Sequence, residues 1–528
     1  MTDEPRTTPR RALAIHPFLF AAYPVLFLYS QNVARFAPGV IVKPLAALIV
    51  AMAVLWTALG LILRNARKAA VIMSLSCLLF FSCRVIRDAL PQFTWVLWGG
   101  LHVGPGKTTL IGTSLLLLAV AVPTLRTRHD LRKLTQVINV TAIVLVLIPV
   151  YQIVFLEPKP RHPDLNIDTG VPAWDHGPLP KDTTAFPDIY YIVCDAYTRD
   201  DILREHYGYD NRPFLEWLEA QGFYVARKSH SNYNFTCVSL PTTLNVMSHG
   251  DLVKEIGASC VDDTSMNEAI EHSTVTRFLK RRGYQIIAFS TGYAVTDVTN
   301  ADVFLTPCAW RDDEFMNALL DMTPLGWVFE GLSYNHLHRT RILFTLDSLK
   351  SIPAFRSPKF VYAHIMAPHR PFVFGPGGEH VNPRHLYPPG GPLWPGAAER
   401  DDYRKFYADE LVFLNRKLME VITAIKQGST RPPIIILQGD HGAASLMSDP
   451  RNPTPETLRE RMSILNAYHL PGDARNKLYP SITPINSFRL ILDQYFDAGL
   501  SLIEDRLIFD PTGDVTETLR RRDAGDHK

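Results

Sequence analysis

Polar residues that can bind a metal ion or carry a proton follow three apolar stretches that we predict to be strands. The strands are 189–194, 360–364 and 434–438, and the residues that follow them are Asp195, His369, Asp440 and His441. Ligand sites in open α/β sheets lie beyond the carboxyl ends of the strands, so we expect these side chains to meet at one edge. Oxygen and nitrogen ligands suit Zn²⁺, and also Mn²⁺ or Mg²⁺ where more water is retained.

Thr236 is a further candidate, a hydroxyl close to the start of a predicted helix. Pro241 suits the first turn of a helix that runs to about Met247. A hydroxyl near that helix start would lie close to backbone N–H groups, which can bind a phosphate. Ser239 and Thr242 are rival hydroxyls, less favoured because they lie farther into the predicted helix.

Each of these residues has an ordinary structural interpretation when it is considered alone. An aspartate after a strand and an Asp-His-Gly sequence are both common in turns. His369 precedes Arg-Pro and can simply fix a loop, and we interpret His364 as a packing residue within its strand. The functional interpretation therefore depends on the convergence of the whole set.

The elements that would position these residues alternate between short apolar runs and helical stretches. A further strand is predicted at 284–289, and helices are predicted at 212–221, 274–282 and 400–426. This alternation is typical of an α/β domain with a mostly parallel sheet, here at 187–510. Residues 156–186 are rich in Pro, Asp and Gly and are predicted to be a linker, and 511–528 is predicted to be a polar tail.

The charges divide the chain into two regions. Residues 1–155 carry 15 Lys and Arg against 4 Asp and Glu, whereas the rest carries 39 against 48. The net charge of the whole chain is +2, which does not fit a basic nucleic-acid binder. Apolar residues make up 47% of the 528 residues, which excludes a disordered or collagen-like protein.

Five apolar stretches in the first region are each near the length of about 20 residues that crosses a bilayer. They are 12–30, 40–63, 69–86, 108–125 and 135–155. We expect the first to be an uncleaved helix, because no small-x-small cleavage site follows it. Basic clusters at the start, after the second stretch and after the fourth fall on one side, which predicts a cytoplasmic amino terminus and an external domain after about Leu156.

The spacing of the six cysteines does not match a zinc ribbon. Cys77 and Cys83 lie in the third apolar stretch, where we expect them to pack inertly. Cys260 and Cys308 lie in loop-like sequence of the external region and are a possible disulfide pair.

Three sequence motifs resemble the sulfatase-like branch of the alkaline phosphatase superfamily. They are Tyr191-Ile-Val-Cys-Asp-Ala-Tyr-Thr, Thr236-Cys-Val-Ser-Leu-Pro and Ile436-Leu-Gln-Gly-Asp-His-Gly. Together with five amino-terminal helices, they make the chain similar to membrane-anchored phosphoethanolamine transferases and lipoteichoic acid synthases. The resemblance implies a bacterial inner-membrane enzyme with an extracytoplasmic catalytic domain and a divalent metal, Zn²⁺ or Mn²⁺ before Mg²⁺.

The resemblance also implies residue roles. Asp195, Asp440 and His441 match metal ligands, Thr236 matches the nucleophile that also binds the metal, and His369 is similar to a histidine that contacts the substrate phosphate. The phosphoethanolamine transferases have a further histidine about a dozen residues after Asp-His-Gly, but here none lies between His441 and His469. A single-metal site of the synthase type is therefore expected.

The implied activity is transfer of a phospholipid head group to an envelope glycan, polyol or lipid through a phospho-threonine intermediate. A formylglycine sulfatase is not expected, because Cys237 is not followed by the C-x-P-x-R pattern. Three alternatives stay open: a phosphodiesterase or phosphatase that uses the same site, a non-catalytic membrane-anchored binding protein, and a transporter. The transporter is disfavoured, since the apolar stretches hold no central acidic residue and no repeat.

Overall fold

The structure is a computed structural model that describes residues 13–33, 36, 38–90, 95–97, 101–156, 186–256, 263–307, 314–325, 334–383 and 395–510. The chain forms two compact units, one of Met1–Arg161 with Asp313–Tyr334 and one of His162–Asp312 with Asn335–Lys528. Cys260, Cys308, the tail and nearly all of the predicted linker lie outside the described residues. The predicted domain bounds stay a prediction.

The first part of the chain is helical, with one short hairpin. Its elements are α1 (His16–Ser30), α2 (Val42–Leu63), α3 (Ala66–Ala89), β1 (Trp95–Leu97), β2 (Leu101–Val103), α4 (Pro105–Arg126) and α5 (Arg132–Tyr151). Strands β1 and β2 pair antiparallel. The hairpin falls in the aromatic segment between the third and fourth predicted spans.

The remaining elements alternate between strands and helices. They are β3 (Ile189–Cys194), α6 (Asp200–Tyr207), α7 (Arg212–Ala220), β4 (Tyr224–Val225), α8 (Thr236–Leu244), α9 (His249–Ile256), α10 (Asp263–Glu271), α11 (Thr274–Arg281), β5 (Gln285–Phe289), β6 (Val303–Leu305), α12 (Glu314–Asp321), α13 (Tyr334–Leu349), β7 (Lys359–Ile365), α14 (Arg400–Gly428), β8 (Ile434–Gln438), α15 (Pro455–Met462), β9 (Asn466–His469) and α16 (Pro484–Phe496).

Four helical segments in the described residues are long and apolar enough to cross a membrane. They are Pro38–Leu63, Ala66–Ala89, Pro105–Arg126 and Arg132–Phe155. The first predicted span is represented by α1, which has 15 residues and a rise of about 22 Å, less than the roughly 30 Å of a bilayer core. A fifth span is therefore not established by helix length.

Helix α1 packs inside the first unit. Asn139 of α5 accepts from the backbone N–H groups of Ile15 and His16 at 3.1 and 3.0 Å, and its amide donates to the carbonyl of Leu13 at 2.8 Å. By contrast, α2, α4 and α5 expose large apolar side chains such as Leu61 and Val137. Those faces suit contact with lipid tails.

Helix α12 belongs to the first unit although it lies within the predicted external domain. Its Phe315 packs edge-to-face on Tyr29 and Phe36, and Asp321 forms an ion pair with Arg84 of α3. The sequence did not predict this docking, because an eight-residue amphipathic helix has no local signal for its distant partner.

A seven-stranded sheet forms the centre of the second unit, in the order β4-β9-β8-β3-β7-β5-β6. The five strands from β8 to β6 run parallel, and β9 pairs antiparallel with both β8 and β4. The predicted α/β architecture with a mostly parallel sheet is found here. Two apolar clusters cover the two faces of the sheet, so β3 is buried along its whole length.

A buried ion pair fixes the amino end of the central strands. Lys359 begins β7 and is fully buried, and its Nζ donates to Asp188 Oδ2 at 2.6 Å just before β3. The ammonium also donates to the carbonyl of Phe355 at 3.2 Å and to Ser357 Oγ at 3.1 Å. Several buried partners therefore compensate its desolvation.

Lys359→Met is expected to destabilise the second unit by about 3–5 kcal/mol, because Asp188 would keep a buried charge without its cation. The measurement is the unfolding of the full chain in detergent, followed by circular dichroism. Lys359→Met/Asp188→Leu removes both charges and is expected to be less destabilised than the single variant. Lys417→Met, which removes a partly exposed pair with Glu420, is the matched control and should cost less than about 1 kcal/mol. Equal effects of the two lysine variants would contradict this account.

Candidate active site

The parallel register places the chemically useful residues at one edge of the sheet. Val193 of β3 lies opposite Gln438 of β8 on one side and His364 of β7 on the other. The loops that follow these three strands therefore leave the sheet together. Asp195 begins one of them, and its N–H donates to the carbonyl of Ile365 at 2.9 Å.

Thr236 lies against the Asp-His-Gly loop. Its Oγ1 donates to Asp440 Oδ2 at 2.6 Å and lies 3.2 Å from His441 Nε2. His441 Nε2 is in turn 3.6 Å from Asp195 Oδ1 and 3.5 Å from Asp440 Oδ2. The structure thus brings together four of the predicted site residues, all of them buried.

The helix that carries Thr236 does not begin where the proline suggested. Helix α8 starts at Thr236 itself, and Pro241 lies inside it. Phe235 has an extended backbone and precedes the helix, so Thr236 occupies its first position. The preference of proline for first turns misplaced the start by five residues, because the packing of this loop against the Asp-His-Gly loop decides where α8 begins.

The rival hydroxyls of Ser239 and Thr242 bond to backbone carbonyl groups. Ser239 Oγ donates to the carbonyl of Asp440 at 2.8 Å, and Ser231 Oγ donates to the same carbonyl at 2.5 Å. Thr242 Oγ1 bonds to the carbonyls of Val238 and Ser239. Among these hydroxyls, Thr236 alone has a described bond to the Asp440 carboxylate.

His364 joins the site, although the sequence suggested only a packing role. Its Nε2 lies 3.4 Å from Asp195 Oδ2, and Asp195, His364 and Asp440 each offer a ligand atom within 4.8 Å of the others. The local signal was a histidine near the end of a strand that is otherwise apolar. Its pairing with Asp195 depends on the β3–β7 register, which no local pattern specifies.

A chain of hydroxyl groups determines which nitrogen of His364 carries the proton. Thr291 Oγ1 can donate to Asp297 Oδ1 at 2.7 Å, and Thr296 Oγ1 can donate to the carbonyl of Tyr293 at 3.2 Å or to Thr291 Oγ1 at 3.0 Å. Thr296 Oγ1 then accepts from His364 Nδ1–H at 3.1 Å. We infer that His364 Nε2 is a lone pair that faces Asp195.

Two buried polar atoms of neighbouring residues at the centre of the site are left without a described partner. Within the described part of the chain, His364 Nε2 and Asp195 Oδ1 are buried and have no hydrogen-bond partner. Buried acceptors without donors are costly, and a cation between them removes that cost. The donor set of carboxylates, imidazoles and a hydroxyl fits a divalent metal of the zinc or manganese type.

The protonation states also suit a cation. Burial, with a smaller contribution from Arg461, lowers the pKa of His441 to about 4, so its imidazole is neutral at pH 7. Burial alone would raise the pKa of Asp195, but the nearby imidazoles of His369 and His441 hold that pKa below its usual range. A neutral imidazole beside an ionised carboxylate is the form in which both bind metals.

His369 lies beside His441, with 6.2 Å between the ring centroids. Its Nδ1 bonds to the carbonyl of Arg370 at 2.6 Å, which leaves Nε2 for proton transfer or for a substrate oxygen. Burial lowers the pKa of His369. The next histidine, His469, bonds to the carbonyl of Pro433 at 2.7 Å, at the opposite end of β8. It therefore lies away from the site.

The sequence did not reveal Arg461 and Glu460, which fix the loops of the site. Arg461 Nε donates to the carbonyl of Asn234 at 3.0 Å and Nη1 donates to that of Gly442 at 2.9 Å, so it connects the threonine loop to the Asp-His-Gly loop. Glu460 accepts from the N–H groups of Ser445 and Leu446 at 2.9 and 2.8 Å. Both lie at the end of α15, a helix with little apolar pattern.

Asp-His-Gly needs its glycine because two backbone segments touch there. A Cβ on Gly442 would collide with the carbonyl of Glu460 and would lie 2.8 Å from that of Ser463. The N–H of Gly442 donates to the carbonyl of Arg461 at 2.6 Å. The glycine of the motif thus allows two backbone segments to approach closely, and the aspartate and histidine before it are the candidate ligands.

Thr296→Val removes the hydroxyl that orients His364 and nearly preserves its shape. We expect Zn²⁺ affinity to fall at least about tenfold, the usual effect of losing a residue that orients a ligand. Isothermal titration of the metal-free full chain measures this. Thr296→Ser keeps the hydroxyl and should bind like the wild type. A valine variant with unchanged affinity would show that His364 does not depend on the relay.

Glu410 of α14 supports the loop after His369. It is fully buried, and its Oε2 accepts from the N–H groups of Val373 and Phe374 at 2.8 and 3.2 Å. Burial raises the pKa of Glu410 to about 8, although those two bonds and Arg339 oppose the rise. The folded chain therefore keeps a proton that the unfolded chain loses near the ordinary value of 4.5.

Because folding raises the pKa of Glu410, the proton on its carboxyl group stabilises the folded chain. This stabilisation is complete below pH 4.5 and is lost as the pH rises through 8. Glu410→Gln is neutral at all pH values. Its stability relative to the wild type should rise by on the order of 3 kcal/mol between pH 5 and pH 8. Melting temperatures of both proteins across this range test the expectation, and parallel pH profiles would refute it.

Comparison with known families identifies the second unit. A family model described as Sulfatase matches residues 187–486, a range that contains all five predicted site residues. The chain belongs to the sulfatase family. Its predicted place in the sulfatase-like branch and its prediction as an enzyme are thereby confirmed. No curated protein sequence matches the chain significantly.

Solved structures resemble the chain at low sequence identity. The C-terminal periplasmic domain of EcEptC from Escherichia coli is 13% identical, with 65% of this chain and 94% of that chain covered and a TM-score of 0.41. The integral membrane lipooligosaccharide phosphoethanolamine transferase A from Neisseria meningitidis is 11% identical, with 96% and 99% covered and a TM-score of 0.38. The C-terminal periplasmic domain of phosphoethanolamine transferase EptC from Campylobacter jejuni is 12% identical, with 59% and 89% covered and a TM-score of 0.35.

Proposed function

We propose that the chain transfers a phospholipid head group, of the phosphoethanolamine or phosphoglycerol type, to a hydroxyl of an envelope glycan, polyol or lipid. The observation that carries the proposal is the position of Thr236. Its Oγ1 contacts both Asp440 Oδ2 and His441 Nε2 beside the two unpartnered acceptors of the site. A hydroxyl in that position is a nucleophile for phosphorus rather than a helix cap.

Asp195, His364, Asp440 and His441 would hold one divalent metal together with Thr236. When bound, the metal supplies Lewis-acid stabilisation of the threonine alkoxide and of the phosphoryl oxygens. The five residues come from three strand ends and α8, so the sheet fixes their positions before substrate binds. His469 lies at the other end of β8, which supports a single metal here.

Two half-reactions follow from this arrangement. Thr236 Oγ1 forms a bond to phosphorus, and the bond from phosphorus to the glycerol oxygen of the lipid breaks. We assign His369 to carry the threonine proton to that departing oxygen, because its Nε2 is left available by the bond at Nδ1. In the second half-reaction an acceptor hydroxyl attacks the phospho-threonine, and its proton returns to Thr236.

The membrane segments suit a lipid donor. We propose five spans with a cytoplasmic amino terminus in a bacterial inner membrane, which places the second unit on the external side. Four helices have the required length and composition, and α1 would cross as a shorter fifth helix. Anchoring raises the effective concentration of the site near lipid head groups.

Intact-protein mass spectrometry tests the proposal. The full chain in detergent is supplied with Zn²⁺ or Mn²⁺ and with vesicles of phosphatidylethanolamine or phosphatidylglycerol, with Thr236→Ala in parallel. We expect a mass gain of one head-group phosphoryl unit that is absent from the variant, and released diacylglycerol. Release of diacylglycerol and free head-group phosphate without acceptor would indicate a hydrolase. No adduct, no diacylglycerol and no bound metal would indicate a binding protein.

A further inference from the structure

Two arginines at the start of α14 converge on one residue. Arg400 Nε donates to the carbonyl of Ser445, and Arg404 Nε donates to Ser445 Oγ, each at 3.1 Å. Residues four apart lie on the same face of a helix, so the two guanidinium groups are neighbours. Both side chains are half-buried, and each is fixed by its Nε.

Neither arginine is held in a direct ion pair with a described residue. In the described part of the chain Arg400 and Arg404 form no ion pair, and their Nη groups have no hydrogen-bond partner. Other surface arginines do pair: Arg199 with Asp201 at 2.7 Å, for example. Asp401 lies three positions before Arg404, on a neighbouring part of the helix surface, and Asp402 lies in the same turn, but neither forms an ion pair with Arg400 or Arg404 in the described residues.

This placement is electrostatically unfavourable without an anion. The amino end of a helix is positive, and cations in its first turns are disfavoured. Two adjacent guanidinium groups also repel each other. Glu399, Asp401 and Asp402 lie in the same turn and offset part of this repulsion, and an anion that binds both guanidinium groups would offset it further.

The pair borders the candidate active site. Ser445 follows His441 by four residues, and its Oγ donates to Glu460 Oε1 at 2.6 Å. Tyr403, which lies between the two arginines, packs edge-to-face on Phe372 with 5.2 Å between ring centroids. Phe372 follows His369 by three residues. The arginines therefore adjoin both loops that form one side of the site.

We propose that Arg400 and Arg404 form a subsite for a second phosphate group, distinct from the phosphoryl group that Thr236 attacks. A guanidinium group binds two phosphate oxygens at once through its planar fork, and two neighbouring forks match a tetrahedral anion. The inference extends the proposed function: the second phosphate is carried by the acceptor or by the donor lipid. The pair would select substrates that bear such a group.

Residue-specific protection from phenylglyoxal, which modifies free guanidinium groups, tests the subsite without any activity. The metal-free full chain in phosphatidylcholine nanodiscs is labelled in inorganic phosphate or in chloride at equal ionic strength, and peptides are quantified by mass spectrometry. At phosphate ten times its dissociation constant, labelling of Arg400 and Arg404 is expected to slow roughly tenfold. Arg212, which is exposed and paired with Asp210, is the control and should not change. Equal labelling of the pair in the two salts overturns the proposal, whatever the outcome for Thr236.

Kinetics of Arg400→Gln/Arg404→Gln then identify the source of the phosphate, with Arg400→Lys/Arg404→Lys to separate charge from fork geometry. A raised KM for a phosphorylated acceptor, but not for its dephosphorylated form, assigns the group to the acceptor. Slower adduct formation on Thr236 from donor vesicles assigns it to the donor. If the wild type forms the adduct and the glutamine variant changes neither the KM nor the rate of adduct formation, the subsite is refuted. A wild type that forms no adduct refutes the proposed function instead.

Discussion

Thr236→Val is expected to abolish both the covalent head-group adduct and acceptor labelling, with turnover at least on the order of 10³-fold lower. Loss of a nucleophile has effects of this size or greater. Valine is close to threonine in shape, and Thr236 is buried at the first position of α8, so folding should be preserved. Adduct formation by mass spectrometry and diacylglycerol release measure the effect.

Thr236→Ser is the matched control, because it keeps a hydroxyl beside Asp440 Oδ2. It should retain the adduct at a reduced rate, with the mass gain moved to serine. Ser239→Ala tests the rival hydroxyl: its Oγ bonds only to a backbone carbonyl and to Ser231 in the described residues, so adduct formation should persist. An adduct that survives Thr236→Val and disappears in Ser239→Ala would transfer the nucleophile to Ser239.

The central strands could be predicted because their signal is local. Ile189–Cys194 and Ile434–Gln438 agree with the predicted bounds, since both are continuous apolar runs buried on both faces of a parallel sheet. The strand at Lys359–Ile365 is one residue longer than predicted at each end. A buried lysine begins it, and only the distant Asp188 explains why a lysine is tolerated there.

The short strands β6 and β9 could not be predicted. Val303–Leu305 is an apolar run of only three residues, and Asn466–His469 has four residues of mixed polarity. They exist because β5 and β8 present unpaired backbone groups beside them. Such pairing depends on the tertiary structure, and propensity in a short window carries no information about it.

The candidate site was predictable where the chemistry follows a strand directly. Asp195, Asp440 and His441 lie at strand ends, and a parallel sheet brings strand ends together. His364 was missed because a histidine within an apolar strand is usually a packing residue. Its hydrogen-bond chain through Thr296 and Thr291 to Asp297 also runs through loops that are distant from it in sequence. Arg461 and the pair Arg400 and Arg404 likewise act through contacts of high sequence separation.

Asp440→Asn is expected to weaken metal binding by on the order of 10²-fold, because this carboxylate serves three groups at once. Its Oδ1 accepts from the N–H of Ala196 at 3.0 Å, and its Oδ2 accepts from Thr236 and faces His441 Nε2. An asparagine can keep its oxygen toward Ala196 only by turning its NH₂ group toward Thr236 and the metal position. The charge and one ligand are then lost together.

Thermal unfolding with and without Zn²⁺ measures this loss, because a ligand that binds only the folded state stabilises it by RT ln(1 + [L]/Kd). At a Zn²⁺ concentration 100 times the wild-type Kd, the wild type gains about 2.7 kcal/mol, and a variant weakened 100-fold gains about 0.4 kcal/mol. Asp210→Asn removes an exposed carboxylate that pairs with Arg212 and should keep the full gain. The Ser231 and Ser239 bonds to the Asp440 carbonyl do not involve its carboxylate, so the metal-free variant should keep its loop and melt near the wild type. If Zn²⁺ stabilises the Asp440→Asn protein as much as the wild type, the metal binds elsewhere. The proposed function would then be contradicted, because it needs a cation at Asp440.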